Sequence, residues 1–224
     1  MSKNRMYHVK FNTYTIGGSP YTIRSLQDLQ QFHDPEGTAA ALGISSATWS
    51  LFGAVWPSGL ILADLMSNYD VAGINILELG CGLGLASLIA NARGACHTAS
   101  DYHPLAGEFL QENNRLNDMP PMHFERCDWA EALPALGVFD LIIGSDLLYE
   151  PDHPSLLSRF IDAHASSSVK VIIIDPGRRQ QGQFTRRMEG LGFAASAVRA
   201  TEEQAQSRVF NGKILHYRRD RQMA

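Results

Sequence analysis

Three glycines at alternate positions follow a short apolar segment, and together they form the strongest chemical signal in the sequence. The segment Ile76-Leu77-Glu78-Leu79 leads into Gly80-Cys81-Gly82-Leu83-Gly84, and residues 85–92 follow with the apolar spacing of a helix. A short apolar run is typical of a buried parallel strand, and glycines after it allow the backbone to approach a ligand closely. Free N–H groups at the start of the helix favour anionic groups. The motif therefore predicts a nucleotide-binding turn between a strand and a helix.

The spacing of the glycines and the position of Glu78 separate the candidate ligands. The dinucleotide fingerprint G-x-G-x-x-G needs a third glycine where this chain has Leu85 or Ser87, which disfavours a nicotinamide-dependent reductase. A carboxylate two residues before the first glycine would repel a pyrophosphate and attract a cationic group. S-adenosylmethionine carries an ammonium, a sulfonium and a carboxylate but no phosphate, and it fits these requirements.

The pattern E-x-G-x-G-x-G resembles the first motif of the class I, seven-strand S-adenosylmethionine-dependent methyltransferases. The resemblance implies an α/β fold with a Rossmann-like seven-stranded, mostly parallel sheet and helices on both faces. It also implies that Glu78 binds the methionine ammonium of the donor, and that Gly80, Cys81, Gly82 and Gly84 lie at its carboxylate side. The alternative interpretation is a glycine-rich turn in an unrelated α/β protein.

Two further acidic residues follow predicted strands. Asp101 lies 21 residues after Gly80, a spacing that suits hydrogen bonds to ribose hydroxyls, and the adjacent Tyr102 could flank the adenine. Asp128 and Trp129 follow the third predicted strand; in methyltransferases an aspartate here often holds the adenine amine, and Trp offers a flat apolar face. The alternatives are a loop or cap role for Asp101, and a helix cap with a packing Trp for the later pair.

The end of the fourth predicted strand is the second strong signal. Ser145 and Asp146 follow a buried run, and Tyr149 comes three residues later. Ligands of open α/β sheets bind beyond the carboxyl ends of the strands, so this stretch should face the methyl donor. Asp146-Leu147-Leu148-Tyr149 resembles the D-x-x-Y motif of the family 16 protein lysine methyltransferases, and the chain lacks the Asn-Pro-Pro-Tyr/Phe found in many other N-methyltransferases. The alternative is a helix cap at Asp146 with Tyr149 in packing.

Two other segments carry the resemblance to family 16, which extends from about Trp56 to Arg178. Trp56-Pro57-Ser58-Gly59 resembles a Trp-containing segment before the first motif, which implies that Trp56 lies near the donor. Asp175-Pro176-Gly177-Arg178 resembles a segment of the electron-transfer-flavoprotein β-subunit lysine methyltransferase. We expect Arg178 on a solvated helix face, with the basic residues that follow it; the alternative is that these residues steer an acidic partner.

The predicted function is S-adenosylmethionine-dependent N-methylation, with a protein lysine as the expected acceptor. Tyr149 could orient the amine through its hydroxyl, and Asp146 could attract the incoming ammonium or accept its proton. Ser145 is expected to face the donor. Methylation of a small-molecule amine and a non-catalytic S-adenosylmethionine-binding module are the alternatives.

The composition excludes few functions. The chain has 224 residues, enough for one α/β domain, and a net charge of −4, so we expect no extended nucleic-acid binding. The cysteines form no C-x-x-C pair and the histidines lack ligand spacing, so we predict no metal site. No signal peptide or 18-residue apolar stretch is evident, so we expect a cytoplasmic protein without a membrane span. The sequence does not predict an oligomeric state.

The elements that must position these residues follow from the apolar pattern. We predict an N-terminal extension (1–70) of hairpin and helices, and a methyltransferase domain (71–224). The extension should contain a hairpin around Gly17-Gly18, a helix at residues 25–32 capped by Ser25, and a helix beginning at Pro57. The domain should contain five strands with crossover helices and two last strands, with Asn211-Gly212 as a two-residue hairpin turn before the final one. Whether residues 208–210 form a further strand stays open.

Overall fold

The computed structural model describes residues 7–200 and 210–220, and these contain nine strands and six α-helices. The strands are β1 (Val9–Ile16), β2 (Ser19–Leu26), β3 (Asn75–Leu79), β4 (Cys96–Asp101), β5 (His123–Arg126), β6 (Phe139–Ser145), β7 (Ala165–Asp175), β8 (Ala194–Arg199) and β9 (Lys213–Asp220). The helices are α1 (Thr38–Ala41), α2 (Pro57–Asn68), α3 (Leu85–Ala92), α4 (Ala106–Leu116), α5 (His153–His164) and α6 (Gln181–Gly190). Short 3₁₀ segments lie at Trp49–Gly53 and Pro134–Leu136.

Seven strands form the central sheet in the order β5-β4-β3-β6-β7-β9-β8. The pairs from β5 to β7 are parallel, and β9 is antiparallel to both β7 and β8. The predicted mostly parallel, seven-stranded sheet is therefore confirmed. The strand order reverses between β3 and β6, and ligands of such sheets bind beyond the carboxyl ends of the strands at this point.

Apolar side chains cover both faces of the sheet, because the central strands are apolar at successive positions. On one face Ile76 of β3 packs in a cluster with α2, α3 and α4. On the other face its neighbour Leu77 packs in a cluster with α5 and α6. Helices therefore lie on both faces of the sheet, as the sequence predicts.

The hairpin is confirmed, but the predicted helix at residues 25–32 is wrong. Ser25 continues β2 instead, where it pairs with Lys10 of β1 and is buried. The N–H of the preceding Arg24 donates to Asn113 Oδ1 of α4 at 2.7 Å. Pairing and tertiary contact therefore outweigh the local cap signal, since propensity is a weak determinant.

The predicted hairpin turn at Asn211-Gly212 is also wrong. Arg199 of β8 pairs with Lys213 of β9, and the Ala200 N–H donates to the Gly212 carbonyl at 3.2 Å, so these residues extend the ladder. A Cβ at Gly212 would lie 2.4 Å from the Asp175 carbonyl oxygen, so close backbone approach explains this glycine. Residues 201–209 of the connection lie outside the described residues, so the question whether residues 208–210 form a strand stays open.

Helix α2 begins at Pro57, as predicted, and it belongs to the core. Residues Trp49–Asn68 are long and apolar enough by composition to cross a membrane. The chain is nevertheless extended at Ala54 and Trp56, and α2 buries Ile61 and Leu62 against the rest of the molecule. Such burial is typical of a core helix.

The division of the chain at residue 70 stays a prediction, although α2 contacts α3, β6 and β7 directly.

Candidate active site

A cavity of about 830 Å³ opens at the carboxyl ends of β3, β4 and β6, at the point where the strand order reverses. Its size lies within the range that is typical of small-molecule and cofactor sites. The predicted site residues that line it are Trp56, Glu78, Gly80, Cys81, Gly82, Asp101, Tyr102, Asp128, Trp129, Ser145, Asp146 and Tyr149. The fold therefore brings together twelve of the thirteen residues singled out from the sequence, and Gly84 is the exception.

Two glycines of the turn after β3 have different surroundings: Gly82 faces the cavity, and Gly84 packs against α4. Gly82 (φ 54°) lines the cavity and donates its N–H to Asp101 Oδ2 at 2.8 Å. Gly84 (φ 74°) precedes α3, and a Cβ there would lie 2.0 Å from Leu110 Cδ1. We attribute Gly84 to the close packing of α4 on the turn, since it does not line the cavity.

Glu78 is a buried carboxyl group in the cavity wall, and only 4% of its surface is exposed. Ser87 Oγ of α3 donates to Glu78 Oε2 at 2.5 Å. Burial raises the pKa of Glu78 to about 7, although the hydrogen bonds from Ser87 oppose this shift. A cation bound beside this carboxyl group would favour its ionised form.

Asp101 connects the two loops that form the floor of the cavity. Its Oδ2 accepts the Gly82 N–H after β3, and its Oδ1 accepts the His103 N–H after β4, both at 2.8 Å. Burial raises the pKa of Asp101, and these backbone hydrogen bonds oppose the shift. The carboxylate is therefore held in a fixed orientation at the cavity surface.

The side chains predicted to surround an adenine also hold the walls of the cavity. Tyr102 donates its hydroxyl to the Leu42 carbonyl at 2.6 Å and thereby ties the N-terminal segment to β4. Asp128 Oδ1 accepts the Ala130 N–H at 2.8 Å, in a turn rather than at the helix cap that was the alternative interpretation. Trp129 presents its ring beside this turn.

The N-terminal segment supplies a wall that the sequence analysis missed. Residues 43–45, 48, 51, 52, 54 and 55 line the cavity together with Trp56, the one member of this segment that was predicted. The Trp56 indole donates to the Leu51 carbonyl at 2.9 Å, which holds the segment at the start of α2. Ser145 lies beside the first turn of α2, since a Cβ on Gly59 would be 3.7 Å from its Oγ. The segment has no motif that could have revealed it.

Asp146 is an ion-paired residue in an unusual backbone conformation. Its φ of 56° lies in the left-handed region, and its N–H donates to the Ile174 carbonyl at 2.8 Å. Both carboxylate oxygens accept hydrogen bonds from Arg178: Oδ1 from Nε at 2.7 Å and Oδ2 from Nη2 at 3.0 Å. The prediction that Arg178 belongs to a helix is wrong, because this residue precedes α6. Its side chain is partly exposed, as predicted, and it also lines the cavity.

The turn after β7 positions Arg178. Asp175, at the end of the strand, accepts the N–H groups of Gly177 and Arg178 at 2.8 and 2.9 Å. The hydrogen bond between the Arg178 guanidinium and Asp146 raises the pKa of Arg178. The segment 175–178 therefore has a physical role in the site, although the sequence assigns it only by resemblance.

Tyr149 and His153 form the outer part of the cavity. Tyr149 is 43% exposed, and burial of its hydroxyl raises its pKa to about 12. Its ring packs edge-on against His153, with 4.6 Å between the centroids. His153, which the sequence analysis did not single out, also contacts Trp129 at 5.3 Å. Among the described residues, no group of three or more His, Cys, Asp or Glu side chains could hold a metal ion.

Solved structures with this fold include methyltransferases of several kinds. The ribosomal protein L11 methylase of Lactobacillus delbrueckii subsp. bulgaricus has a TM-score of 0.57 and 20% identity, and the match covers 71% of this chain and 77% of that one. The magnesium protoporphyrin IX methyltransferase of Synechocystis with bound SAM has a TM-score of 0.56 and 18% identity, covering 71% and 76%. At these identities the likeness establishes the fold alone.

Sequence comparison decides the family. Residues 42–190 match the model of the family described as lysine methyltransferase, Methyltransf_16. The chain belongs to this family. Protein N-lysine methyltransferase METTL21A of Xenopus tropicalis is 30% identical over 72% of this chain and 80% of its own length. The electron transfer flavoprotein beta subunit lysine methyltransferase of Xenopus laevis is 36% identical over 59% of this chain and 53% of its own, so the chain spans about half of that relative.

The segment shared with the lysine methyltransferase family contains the whole predicted site. It extends from the N-terminal wall through the glycine turn to Tyr149, and it also includes His153 and Arg178. The family resemblance stated from E-x-G-x-G-x-G and D-x-x-Y is therefore confirmed. In this lysine methyltransferase the arrangement offers buried carboxyl groups for a cationic ligand at one end, and an aromatic, partly open mouth at the other.

Proposed function

We propose that this protein transfers a methyl group from S-adenosylmethionine to the side-chain nitrogen of a lysine in a protein. The observation that carries the proposal is a single cavity that has a buried end and an open mouth. Its residues lie within the segment that matches the family. Glu78 and Asp101 lie at the buried end, whereas Asp146 and Tyr149 lie at the mouth. Its relatives named as protein N-lysine methyltransferases support the same acceptor.

The buried end has the groups that S-adenosylmethionine requires. The donor carries a methyl group on a sulfonium and thus supplies an electrophilic carbon. Glu78 would hold its ammonium, the turn at Gly80–Gly82 would lie along its carboxylate, and Asp101 would accept hydrogen bonds from its ribose. Asp128 and Trp129 would bind the adenine. The buried Glu78 supports this fit, because its ionised form needs a cation.

The mouth has the groups that an amine acceptor requires. Tyr149 keeps its phenolic hydrogen at neutral pH, and the hydroxyl can orient the amine by hydrogen bonding. Asp146 attracts a cation less strongly than an isolated carboxylate, because Arg178 already compensates its charge. Most of the rate enhancement would come from alignment of the amine with the methyl group and from exclusion of water.

The exposure of the mouth favours a macromolecular acceptor. Tyr149 is 43% exposed, and Glu150 and Asp152 beside it are exposed carboxylates on the cavity rim. A lysine on the surface of a partner protein can enter such a mouth without the partner being enclosed. Negative charge on the rim would attract basic surfaces. We also propose a cytoplasmic location, because the small, odd number of cysteines, three in the chain, suits a reducing compartment.

Transfer of tritiated methyl groups to proteins of a cytoplasmic lysate tests the proposal. Wild-type protein should label a protein band, and Asp146→Ala and Tyr149→Phe should abolish or strongly reduce the label. Tyr69→Phe, outside the cavity, should label like the wild type. Label confined to the small-molecule fraction would indicate a metabolite as acceptor. Donor binding without any label would favour a non-catalytic binding module.

A further inference from the structure

His153 is the first residue of α5 and lies in the cavity mouth between two aromatic rings. Its ring is edge-on to Tyr149, with centroids 4.6 Å apart and planes at 75°. It is also edge-on to Trp129, at 5.3 Å and 78°. The imidazole therefore lies between the loop predicted to hold the adenine and the residue predicted to orient the acceptor.

A single hydrogen bond fixes which nitrogen of His153 can accept a proton. Nδ1 lies 2.6 Å from the carbonyl oxygen of Leu147. A carbonyl oxygen can only accept, so Nδ1 carries the hydrogen, and Nε2 of the neutral ring has the free lone pair. Nε2 makes no hydrogen bond with the described residues, and His153 is only partly buried, unlike the buried His103 and His164.

The two residues predicted to contact the acceptor, Asp146 and Tyr149, are poorly placed to act as its base. Asp146 uses both oxygens to bind Arg178. Tyr149 holds its phenolic hydrogen, since burial raises its pKa to about 12. A lysine ammonium with an ordinary pKa of about 10.4 must lose a proton before its nitrogen can attack.

We propose that Nε2 of His153 accepts the proton that the acceptor ammonium loses before methyl transfer. This assignment rests on the proposed function. The charged and titratable groups that share this part of the cavity are Asp128 after β5, Asp146, Tyr149, Glu150 and Asp152 on the loop before α5, and Arg178 after β7.

The step balances in atoms and charge. The ammonium gives H⁺ to Nε2 of His153, which leaves a neutral amine and an imidazolium. The amine nitrogen then forms a bond to the methyl carbon, while the sulfur–methyl bond breaks and its electron pair stays on sulfur. The products are a methylated ammonium and S-adenosylhomocysteine. The imidazolium returns its proton to water through the open mouth.

A purely structural role for His153 would also be consistent with the Leu147 contact, so the test must separate the two. His153→Asn preserves a donor near the position of Nδ1, because the Asn amide nitrogen can reach the Leu147 carbonyl. An amide is not basic, so proton transfer is lost. His123→Asn is the matched control, since His123 is an exposed residue of β5 outside the cavity.

The measurement is the single-turnover rate of methyl transfer from tritiated S-adenosylmethionine to lysate protein between about pH 6 and 10, with donor affinity by calorimetry. General acid–base catalysis typically contributes about 10²–10⁴-fold, so His153→Asn should be at least about 100-fold slower at pH 7. The deficit should shrink about tenfold per pH unit as the amine deprotonates by itself. Donor affinity should stay within about twofold of wild type, because the substitution alters none of the residues predicted to bind the donor.

Three outcomes would overturn the assignment. An unchanged rate at pH 7 would exclude His153 as the base. A loss that is uniform in pH, or accompanied by loss of donor affinity, would show a structural role. If the wild type labels no protein, the proposed function and this inference both fail. If the wild type is active and His153→Asn is unaffected, only this inference fails.

Discussion

Donor binding should depend on pH through Glu78, because the buried carboxyl group must ionise to bind an ammonium. Burial raises the pKa of Glu78 to about 7 in the free protein. Below this pH the group is protonated and holds no charge for the donor. Affinity should therefore rise as pH rises through neutrality and fall as pH drops, with uptake of the donor releasing a proton.

The size of the effect follows from the fraction of Glu78 that is ionised. With a pKa of about 7, that fraction is roughly three quarters at pH 7.5 and one tenth at pH 6. The apparent Kd should then weaken roughly eightfold over this interval, or about 1.2 kcal/mol. Glu78→Gln keeps the shape and the bond to Ser87, but it cannot ionise. Its affinity should be roughly tenfold or more below that of the wild type at pH 7.5, and independent of pH.

Titration calorimetry with S-adenosylmethionine, in two buffers of different protonation enthalpy, measures both affinity and proton release. Near pH 6 the wild type should release close to one proton for each donor bound, and Glu78→Gln should release none. Glu36→Gln, an exposed position outside the cavity, should behave as the wild type. A wild-type Kd that is constant over this range, or a Gln variant that keeps the slope, would refute the assignment of the ammonium to Glu78.

Three further substitutions test other parts of the site. Asp101→Ala should weaken donor binding roughly ten- to hundredfold by calorimetry, since hydrogen bonds to a charged group contribute about 1.5–3 kcal/mol, and unchanged affinity would remove this residue from the donor site. Gly84→Ala should lower the free energy of unfolding, measured in urea, by about 2–4 kcal/mol. The new Cβ would lie 2.0 Å from Leu110 Cδ1, and the alanine would have to adopt a left-handed backbone conformation. A loss below about 1 kcal/mol would show that α4 can move aside. Tyr102→Phe removes the bond to the Leu42 carbonyl and should cost about 1 kcal/mol of stability while donor affinity stays within about twofold; a tenfold loss of affinity would show that this bond holds the cavity wall.

The central sheet could be predicted because its signals are local. Strand β3 contains the predicted apolar segment from Ile76 to Leu79, and this segment and the glycines after it lie within ten residues. The failures occur where a distant contact decides the structure. The cap signal at Ser25 yields to pairing with β1 and contact with α4, and Gly212 serves a close approach to Asp175 rather than a turn. Local pattern identifies an element only where tertiary contacts agree with it.

The site could be predicted as a set of positions, but its electrostatics could not. Twelve of the thirteen predicted residues line one cavity, because motifs at the ends of neighbouring parallel strands meet at the same sheet edge. The charge state of each group depends on partners that no motif contains. Glu78 has a pKa of about 7 because the surrounding core buries it, and burial is a property of the whole fold.

Asp146 shows how a motif can locate a residue and still leave its chemistry undecided. D-x-x-Y correctly places a carboxylate beside the cavity, and by itself it suggests a free base or a cation site. Arg178 follows 32 residues later in the sequence, but β7 is the neighbour of β6, so the two side chains meet and form a bidentate pair. A left-handed φ at a residue other than glycine costs on the order of 1–3 kcal/mol, and the surrounding structure must impose it. The charge of Asp146 is thus compensated before an acceptor arrives, which is why we propose a proton acceptor on another element, at the start of α5.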